Sequence, residues 1–498
     1  MTNQPQPWSR WVFPAAIAIF VLSTLAFPIH QVLVTGGYLY YANGFDESTY
    51  LQYDFSQAAQ GVLRPGQFLV TLLHQLGLSG GWINALLDLT AVLAFGLLSR
   101  QGFRRLGFSD ERADLAAVGL VVVPMLVLAS NPAVRLASDW IVTSGAIYWL
   151  NLPEAYTSAL VRSPEPQLSL VLLATATYVA LRLRAFWPLY VAMPFMYPFV
   201  ALPVAFVTLA CHLRQRWPAA AARTVSWAPL LVSLLTLGLA ARLYYAFLVA
   251  EKVRLLLVAS YLPLISFTGL AALAAYALLR TRIEPQHRFF ALAAASAPLV
   301  ASNHQLISGT IAQPDNVEQY VGGLAVALVV ALAVRLTKRG AWTIVLAGVV
   351  LWSYSSYVTF RVNQANTARV PLTPALVQAL KDDARHVVVD DVVLTSLLGM
   401  VHPRQDSTAL GFEKTFSIVA DRHAPVYRCI KRQVLTEHPG HAGLARALEY
   451  LDGAYTYGSQ NYVRVHINRR STFTPLQDVS AEGCVTPHLR PLRYFLAN

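Results

Sequence analysis

The chain has 498 residues, of which 55% are hydrophobic and only 13% are charged, and its mean hydropathy is +0.46. Soluble domains carry about 25% charged residues, so this composition excludes a wholly soluble protein and indicates a membrane protein with a more ordinary segment attached. A net charge of +12 would suit a nucleic-acid-binding protein, but the Lys and Arg residues form short clusters between apolar runs, which excludes a continuous phosphate-binding stripe.

The first apolar run, at about 11–33, is longer than the hydrophobic region of a cleaved signal peptide, and no small-x-small cleavage site follows it. We therefore interpret it as a retained membrane anchor. The sequence GFDESTYLQYD follows at 44–54 and holds three carboxylates within nine residues. A carboxylate near a bilayer is costly unless it is solvated, paired or functional. Asp46 is therefore a candidate catalytic residue, and a hydrated loop is the alternative.

Further apolar runs reach the length of about 20 residues that a bilayer-spanning helix needs. They lie near 81–99, 114–130, 167–184, 226–246, 255–280, 289–309, 321–337 and 341–360. One more run, 186–210, contains three prolines near its middle, Pro194, Pro198 and Pro203, and has arginines on both sides. Because proline breaks a helix, this run is predicted to form two short helices in a buried hairpin that enters and leaves on the same side. The sequence thus predicts a polytopic α-helical membrane protein with about eleven membrane helices.

This arrangement sorts the charges, with the Lys and Arg clusters on one side and the acidic loops on the other. The positive-inside tendency then predicts a cytoplasmic N-terminus and an extracytoplasmic C-terminal tail, in a plasma membrane of bacterial type. Outer loops are predicted at 34–80, 131–166 and 303–320. Two amphipathic pieces of the first loop, 49–60 and 65–76, are expected to lie along the membrane surface. The second opens with proline, which suits the first position of a helix.

The composition becomes that of a soluble domain at about residue 361. We therefore divide the chain into a membrane domain, 1–360, and a small extracytoplasmic α/β domain, 361–498. A buried strand is predicted at 387–389, and a further strand is predicted near 462–467. Helices of this domain are predicted at 373–381, 394–400, 424–436 and 441–451.

The chain contains no G-x-x-x-x-G-K-[ST], no H-E-x-x-H and no paired C-x-x-C motif, so ATP hydrolysis and zinc chemistry have no support in the sequence. Three cysteines are too few for a disulfide scaffold. Cys211 lies beside a span end and is interpreted as structural. Cys429 and Cys484 could pair if their domain is extracytoplasmic, although the sequence alone does not place them within bridging distance.

Basic residues near the predicted outer ends of the spans could hold an anionic lipid head group through charge-assisted hydrogen bonds. They are Arg162, Arg242, Lys252 and Arg254. For each one alone, snorkelling to the membrane interface is the alternative. His304 fits a buried structural histidine as well as a functional one. Asp315 and Glu318 by themselves are expected to keep an outer loop hydrated.

In the order of its parts, the chain resembles the GT-C superfamily of integral membrane glycosyltransferases, which includes protein O-mannosyltransferases, the lipid A aminoarabinose transferase and oligosaccharyltransferases. The likeness lies in the acidic motif FDESTY at 45–50, the surface helices after it, the many-helix bundle with short helices and the extracytoplasmic C-terminal domain. The segment RSPEPQ at 162–167 is also similar to bacterial members.

The resemblance implies transfer of a sugar from a polyprenyl phosphate or pyrophosphate donor to an extracytoplasmic glycan, lipid or protein. Asp46 would be the general base that takes a proton from the acceptor hydroxyl, with Glu47 as its partner. The four basic residues named above would hold the donor phosphate, and Arg242, Lys252 and Arg254 would stabilise its growing charge. The substrate pocket would include Tyr50, His304, Asp315 and Glu318.

Some members of this superfamily bind a divalent cation, Mg²⁺ or Mn²⁺, through acids from several outer loops. Asp139, Glu154, Asp315 or Glu318 could take that part here, although nothing in their spacing demands it. Two other interpretations stay open. A transporter or lipid flippase would show inverted repeats with broken helices at corresponding positions, and the sequence shows one broken hairpin without a matching partner. A non-catalytic envelope protein could bind a partner through its outer tail.

Overall fold

A computed structural model gives the structure of this protein. It describes residues 13–20, 22, 25–26, 65–78, 80–129, 150–151, 160, 165–214, 228, 231–232, 234–235, 238, 257–259, 263–308, 310–312, 317–333, 343, 346–350, 353–354, 386–389, 407–409, 477–480 and 492–496.

The described part of the chain is mostly helical. The helices are α1 (Pro65–Gln75), α2 (Gly80–Arg105), α3 (Asp110–Ala129), α4 (Gln167–Leu183), α5 (Trp187–Ala192), α6 (Pro198–Leu213), α7 (Phe267–Leu279), α8 (Arg288–Ser302), α9 (Gln305–Ser308) and α10 (Gly323–Ala333). A 3₁₀ turn, Met193–Phe195, separates α5 from α6, and a π-helical turn, Glu318–Gly322, leads into α10. Residues 13–20 are also helical.

Local sequence signals set several of the helix ends. Pro65 opens α1, as predicted. Gly77 and Gly107 follow α1 and α2 with φ near +89°, a left-handed conformation that glycine adopts without steric cost. At the start of α7, the Ser266 side chain accepts a hydrogen bond of 2.9 Å from the backbone N–H of Gly269. These stops and caps explain why the helices end where they do, before any packing is considered.

The proline-rich run at 186–210 is broken in the structure, as predicted, into α5, the 3₁₀ turn and α6. Pro188 and Pro198 lie in the first turns of α5 and α6, where the missing backbone donor is not needed. The end of α6 returns to the start of the hairpin. There the ring of Phe186, just before α5, stacks on His212 in the last turn of α6 with 4.7 Å between the centroids. Many of its side chains are buried, so the predicted break and its burial are confirmed.

The helices pack as one bundle around a continuous apolar core. Helix α2 packs against α3 and α4, α3 against α10, α7 against α8 and α10, and α8 against α6. The helical residues 13–20 join α2, where Gly96 leaves room for Ile17. Small residues set the closest approaches: a Cβ at Gly322 would collide with Thr268, and a Cβ at Gly323 would lie 3.0 Å from Pro124.

All the Lys and Arg residues that the structure describes in this bundle lie at one end of it, which we call the arginine end. They are Arg100, Arg104, Arg105, Arg112, Arg182, Arg184, Arg214, Arg280, Arg282 and Arg288. Several of these arginines contact side chains of neighbouring segments of the bundle. The guanidinium of Arg100 pairs with Asp114, that of Arg112 lies 3.9 Å from Glu284, and that of Arg214 lies over the ring of Phe289. We call the other end, where α4, α6 and α7 begin, the opposite end.

Short strands occur in two places. At the opposite end, β1 (Leu150–Asn151) pairs with β3 (Ile265–Ser266), and β2 (Leu257–Ala259) pairs with β4 (Thr310–Ala312). The tail contributes a four-stranded mixed sheet in the order β6-β5-β8-β7, whose strands are β5 (His386–Val389), β6 (Ser407–Ala409), β7 (Gln477–Ser480) and β8 (Leu492–Leu496). Strand β5 confirms the strand predicted at 387–389. The other elements predicted for the tail lie outside the described residues.

Two predicted spans are shorter helices than expected. In the run at 255–280, helix α7 begins at Phe267, after strands β2 and β3 and the Ser266 cap. The run at 289–309 leaves its helix at Ser302. The next side chain, Asn303, accepts a 2.7 Å hydrogen bond from Leu264 N–H and donates a 2.8 Å bond to Leu264 O. An asparagine that bonds backbone groups in this way competes with helix continuation.

Within the described stretches, the segment Trp82–Arg105 is long and apolar enough to cross a membrane. Five further apolar helical segments have 10–17 residues and are shorter than this criterion requires. The coarser part of the predicted fold class, a mainly helical bundle, is therefore what the structure supports, together with a small sheet in the tail.

Candidate functional site

Of the residues predicted to form the site, the structure describes His304 and Glu318. The other predicted residues lie outside the described part of the chain: Asp46, Glu47, Tyr50, Asp139, Glu154, Arg162, Arg242, Lys252, Arg254 and Asp315. Cys429 and Cys484 also lie outside it. The described part of the site therefore consists of Glu318, His304 and the polar groups around them.

Glu318 is fully buried, so the expectation that it hydrates a loop is wrong. It begins the π-helical turn that leads into α10, a kind of turn that is frequent at functional sites. Its Oε2 accepts two hydrogen bonds from Thr268, one from the backbone N–H at 2.9 Å and one from the hydroxyl at 2.6 Å. These donors at the start of α7 offset the cost of burying a carboxyl group, which the sequence around Glu318 does not reveal.

His304 lies at the opposite end of the bundle, as Glu318 does. It follows Asn303, whose side chain ties the end of α8 to the segment before α7 through both backbone groups of Leu264. The backbone N–H of His304 donates to Ala301 O at 3.3 Å, and its side chain is half-buried. In the polar sequence at 303–305, Asn303 therefore has a structural role, which is to hold the end of α8 against the segment before α7.

The tip of the broken hairpin extends this polar region. The backbone N–H of Tyr197 donates to Ser169 Oγ at 2.7 Å, and the Ser169 hydroxyl donates to Glu165 Oε2 at 2.5 Å. On its other side, the Tyr197 ring lies 5.8 Å from the ring of Tyr320, two residues after Glu318. The hairpin thus links two buried glutamates that are far apart in the sequence.

A second polar contact lies between α2 and α4. The Nε2 of Gln167 donates 2.8 Å hydrogen bonds to Asp88 Oδ1 and to Leu160 O. Asp88 and Gln167 are buried, and so is Asn84, one helical turn before Asp88. Neither the Oδ1 nor the Nδ2 atom of Asn84 has a hydrogen-bond partner. We call Asn84, Asp88 and Gln167 the Asn84 group.

These contacts form a buried layer of hydrogen-bonding side chains at the opposite end, and the residues described at that end include no Lys or Arg. Such a layer can orient a ligand that both donates and accepts hydrogen bonds. It cannot by itself neutralise a phosphate, so the positive charge for a phosphorylated ligand would have to come from residues outside the described ones.

Sequence reasoning missed Asn84, Asp88, Glu165 and Ser169 as members of this layer. A usable signal was present for Asp88, because it is a carboxylate inside the apolar run at 81–99, and an ionisable residue inside a span is a functional hypothesis by default. No such signal marks Ser169, whose partners are set by the tertiary contact with the hairpin.

The described residues contain no group of three or more His, Cys, Asp or Glu side chains arranged to hold a metal ion. Comparison with protein-family models finds no model that matches the chain, and comparison with curated proteins finds no match.

Proposed function

We propose that this protein is a multi-pass membrane glycosyltransferase that moves a sugar from a polyprenyl-phosphate donor to an extracytoplasmic acceptor. The acceptor would be a cell-envelope glycan, a lipid or a protein. The observation that carries the proposal is the acidic motif FDESTY at 45–50, directly after the first apolar run. In the described helices of the bundle, the arginines gather at one end. A likeness to the GT-C superfamily in the order of parts supports it.

Two features of the bundle support a membrane architecture of about eleven helices. The gathering of cations at the arginine end is what the positive-inside tendency produces when that end faces the cytoplasm. The broken hairpin is buried, as irregular backbone within a membrane must be. The opposite end and the tail, 361–498, would then face outward from a bacterial-type plasma membrane.

The chemistry would take place at the opposite end. Asp46, oriented by Glu47, would take the proton of an acceptor hydroxyl as that oxygen attacks the anomeric carbon of the donor sugar. The bond from the anomeric carbon to the phosphate oxygen breaks, and the lipid phosphate leaves with the electron pair. Arg162, Arg242, Lys252 and Arg254 would stabilise the phosphate charge, which grows in the transition state.

The described residues contribute the wall of the substrate pocket in this proposal. Glu318 and His304 both lie at the opposite end, and the start of α7 connects them. Asn303, next to His304, bonds Leu264 just before α7. Thr268 in the first turn of α7 bonds Glu318 in the π-helical turn. Tyr50 and Asp315 would complete the wall. A divalent cation, Mg²⁺ or Mn²⁺, is compatible with the acids of the outer loops, but the proposal does not require one.

The test is sugar transfer by the purified full-length protein, with labelled polyprenyl-phosphate sugars as donors and release of the lipid phosphate as the readout. We expect Asp46→Asn to lower kcat by about 100-fold or more, because the amide cannot accept the acceptor proton. Asp54→Asn is the matched control, since Asp54 lies in the same acidic stretch without an assigned role. Near-normal turnover in Asp46→Asn would remove Asp46 from catalysis, and equal loss in both variants would indicate a folding defect.

One observation favours a second candidate function, a transporter or lipid flippase. Broken helices and buried acids are typical of secondary transporters. The α5–α6 hairpin contains a break of this kind. In proteoliposomes, a flippase would move the polyprenyl-phosphate sugar between leaflets without releasing lipid phosphate. A transferase would release it.

A further inference from the structure

In the described part of the α2–α4 contact, Asn84 is a buried side chain whose hydrogen-bonding capacity is unused. Its exposed fraction is 0%, yet neither amide atom has a partner. The great majority of buried polar groups in proteins are hydrogen-bonded, because leaving a donor or acceptor unpaired costs its full desolvation energy. An unpaired buried amide therefore indicates a group that is completed by something outside the chain.

The direction of the Asn84 side chain follows from the geometry of α2. A Cβ at Gly102 would lie 3.8 Å from Leu181 of α4, so this face of α2 points at α4. Asn84 precedes Gly102 by 18 residues, about five turns at 3.6 residues per turn, and so it faces the same way. Asp88, one turn further along, is bonded to Gln167 at the start of α4. Asn84 therefore points at the same contact between the two helices.

The chemistry of the Asn84 group restricts the ligand. The Nδ2 atom of Asn84 donates hydrogen bonds and its Oδ1 atom accepts them. A bare cation would therefore leave Nδ2 unpaired, and a bare anion would leave Oδ1 unpaired. A group that donates and accepts through one atom, a hydroxyl, satisfies both requirements. The carboxyl of Asp88 beside it provides a further acceptor for a neighbouring hydroxyl. Several hydroxyls close together are characteristic of a carbohydrate.

We propose that the Asn84 group is a carbohydrate-binding site, which takes hydroxyl groups of the sugar carried by the lipid-linked substrate. The identity of that substrate rests on the proposed function, but the binding chemistry rests on the Asn84 group itself. Helix α1 covers this part of α2 and α4 through a small apolar cluster of Val70, Ile83 and Leu87, with Leu168 against it. Because Asn84 is fully buried, binding of a sugar there requires α1 to move away from this contact.

The experiment measures ligand-dependent thermal stabilisation of the full-length protein in lipid nanodiscs, which contain no detergent sugars. The probes are polyprenyl phosphate alone and polyprenyl phosphate carrying glucose, galactose, mannose or arabinose. We expect at least one sugar-bearing lipid to raise the Tm of the wild-type protein more than the bare lipid does. Asn84→Leu and Asn84→Ala should lose that difference, with sugar affinity reduced tenfold or more, and keep the response to the bare lipid.

Without ligand, Asn84→Leu should be at least as stable as the wild-type protein, because an unpaired amide is removed from the interior. Asn84→Ala is included because leucine is larger than asparagine and could destabilise the contact by overpacking. Ser302→Ala is the matched control. Ser302 is likewise buried with an unpartnered hydroxyl, but it lies at the end of α8 and not between α2 and α4. It should leave the sugar response unchanged.

Three results would overturn the inference. The first is that no sugar-bearing lipid stabilises the wild-type protein more than the bare lipid does. The second is an unchanged sugar response in both Asn84 variants, which means that Asn84 holds a buried water only. The third is loss of the response only in variants whose ligand-free Tm has fallen, which means that Asn84 is structural. If the sugar response depends on Asn84 but the wild-type protein releases lipid phosphate from none of the donors, the proposed function fails and the binding site stands.

Discussion

Buried polar side chains at both ends of the bundle depend on partners supplied by other helices. Glu318 is paired by Thr268, and Asp114 by Arg100, from a neighbouring helix in each case. His287 is the comparable residue at the arginine end. It is buried at the start of α8, and the guanidinium of Arg112 lies over the ring of Phe108 nearby. For such groups the protonation state in the folded protein is set by the surroundings, and stability becomes dependent on pH.

Burial lowers the pKa of His287 below its ordinary value of 6.5, and Arg112 adds to the lowering. Glu284, 3.6 Å away, and a backbone hydrogen bond with Leu106 oppose it. Because the folded pKa is depressed, the unfolded chain binds the proton more readily, so stability is present above pH 6.5 and is lost as the pH falls below it. We expect the Tm of the wild-type protein to fall between pH 7.5 and 5.5.

The variant His287→Gln isolates this contribution, since glutamine retains hydrogen bonding and does not titrate. Its Tm should fall less than that of the wild-type protein over the same pH range, measured by thermal unfolding in the same detergent. Parallel pH dependence in the two proteins would show that His287 does not titrate differently on unfolding.

At the scale of helices, close approach depends on where the small residues lie. Gly322 ends the π-helical turn against α7, and a Cβ there would collide with Thr268. Gly119 lies within α3, and a Cβ there would meet nothing within 4 Å. The same chemical change should therefore have opposite effects at the two sites.

We expect Gly322→Ala to destabilise the protein by about 1–3 kcal/mol through overpacking, and to disturb the hydroxyl that holds Glu318. Gly119→Ala should stabilise it by about 0.5–1 kcal/mol, because alanine loses less backbone entropy than glycine in a helix. Denaturant or thermal unfolding of both variants in one detergent makes the comparison. A destabilised Gly119→Ala, or a neutral Gly322→Ala, would contradict the packing described for these helices.

At the scale of the whole molecule, the two ends of the bundle differ in charge. The arginine end holds the described Lys and Arg residues of the bundle and several carboxylates that pair with them, whereas the opposite end holds buried acids and amides. In a membrane, this asymmetry sets the orientation. The arginine end would be cytoplasmic and the opposite end exposed to the outside.

Single cysteines test this orientation in intact cells, in a background with Cys211, Cys429 and Cys484 replaced by serine. The exposed residues Gln75, at the end of α1, and Ser109, between α2 and α3, lie at opposite ends of α2. We expect a membrane-impermeant thiol reagent to label Gln75→Cys in intact cells, and Ser109→Cys only after permeabilisation. Labelling of both from outside, or of Ser109→Cys alone, would exclude the proposed orientation.

The sequence by itself determined the mainly helical character of the described bundle, the proline break and the charge clusters, because apolar run length, proline chemistry and the spacing of arginines are local properties of a chain. Strand β5 was readable for the same reason. Only the tertiary structure decided the environment of Glu318. The sequence placed it in a hydrated loop, whereas the fold buries it against Thr268. It also decided that α8 ends at Ser302 and that Asn84 faces α4 without a partner. These outcomes depend on which groups meet across helices distant in the sequence, and hydrogen-bond partners of that kind leave no local trace.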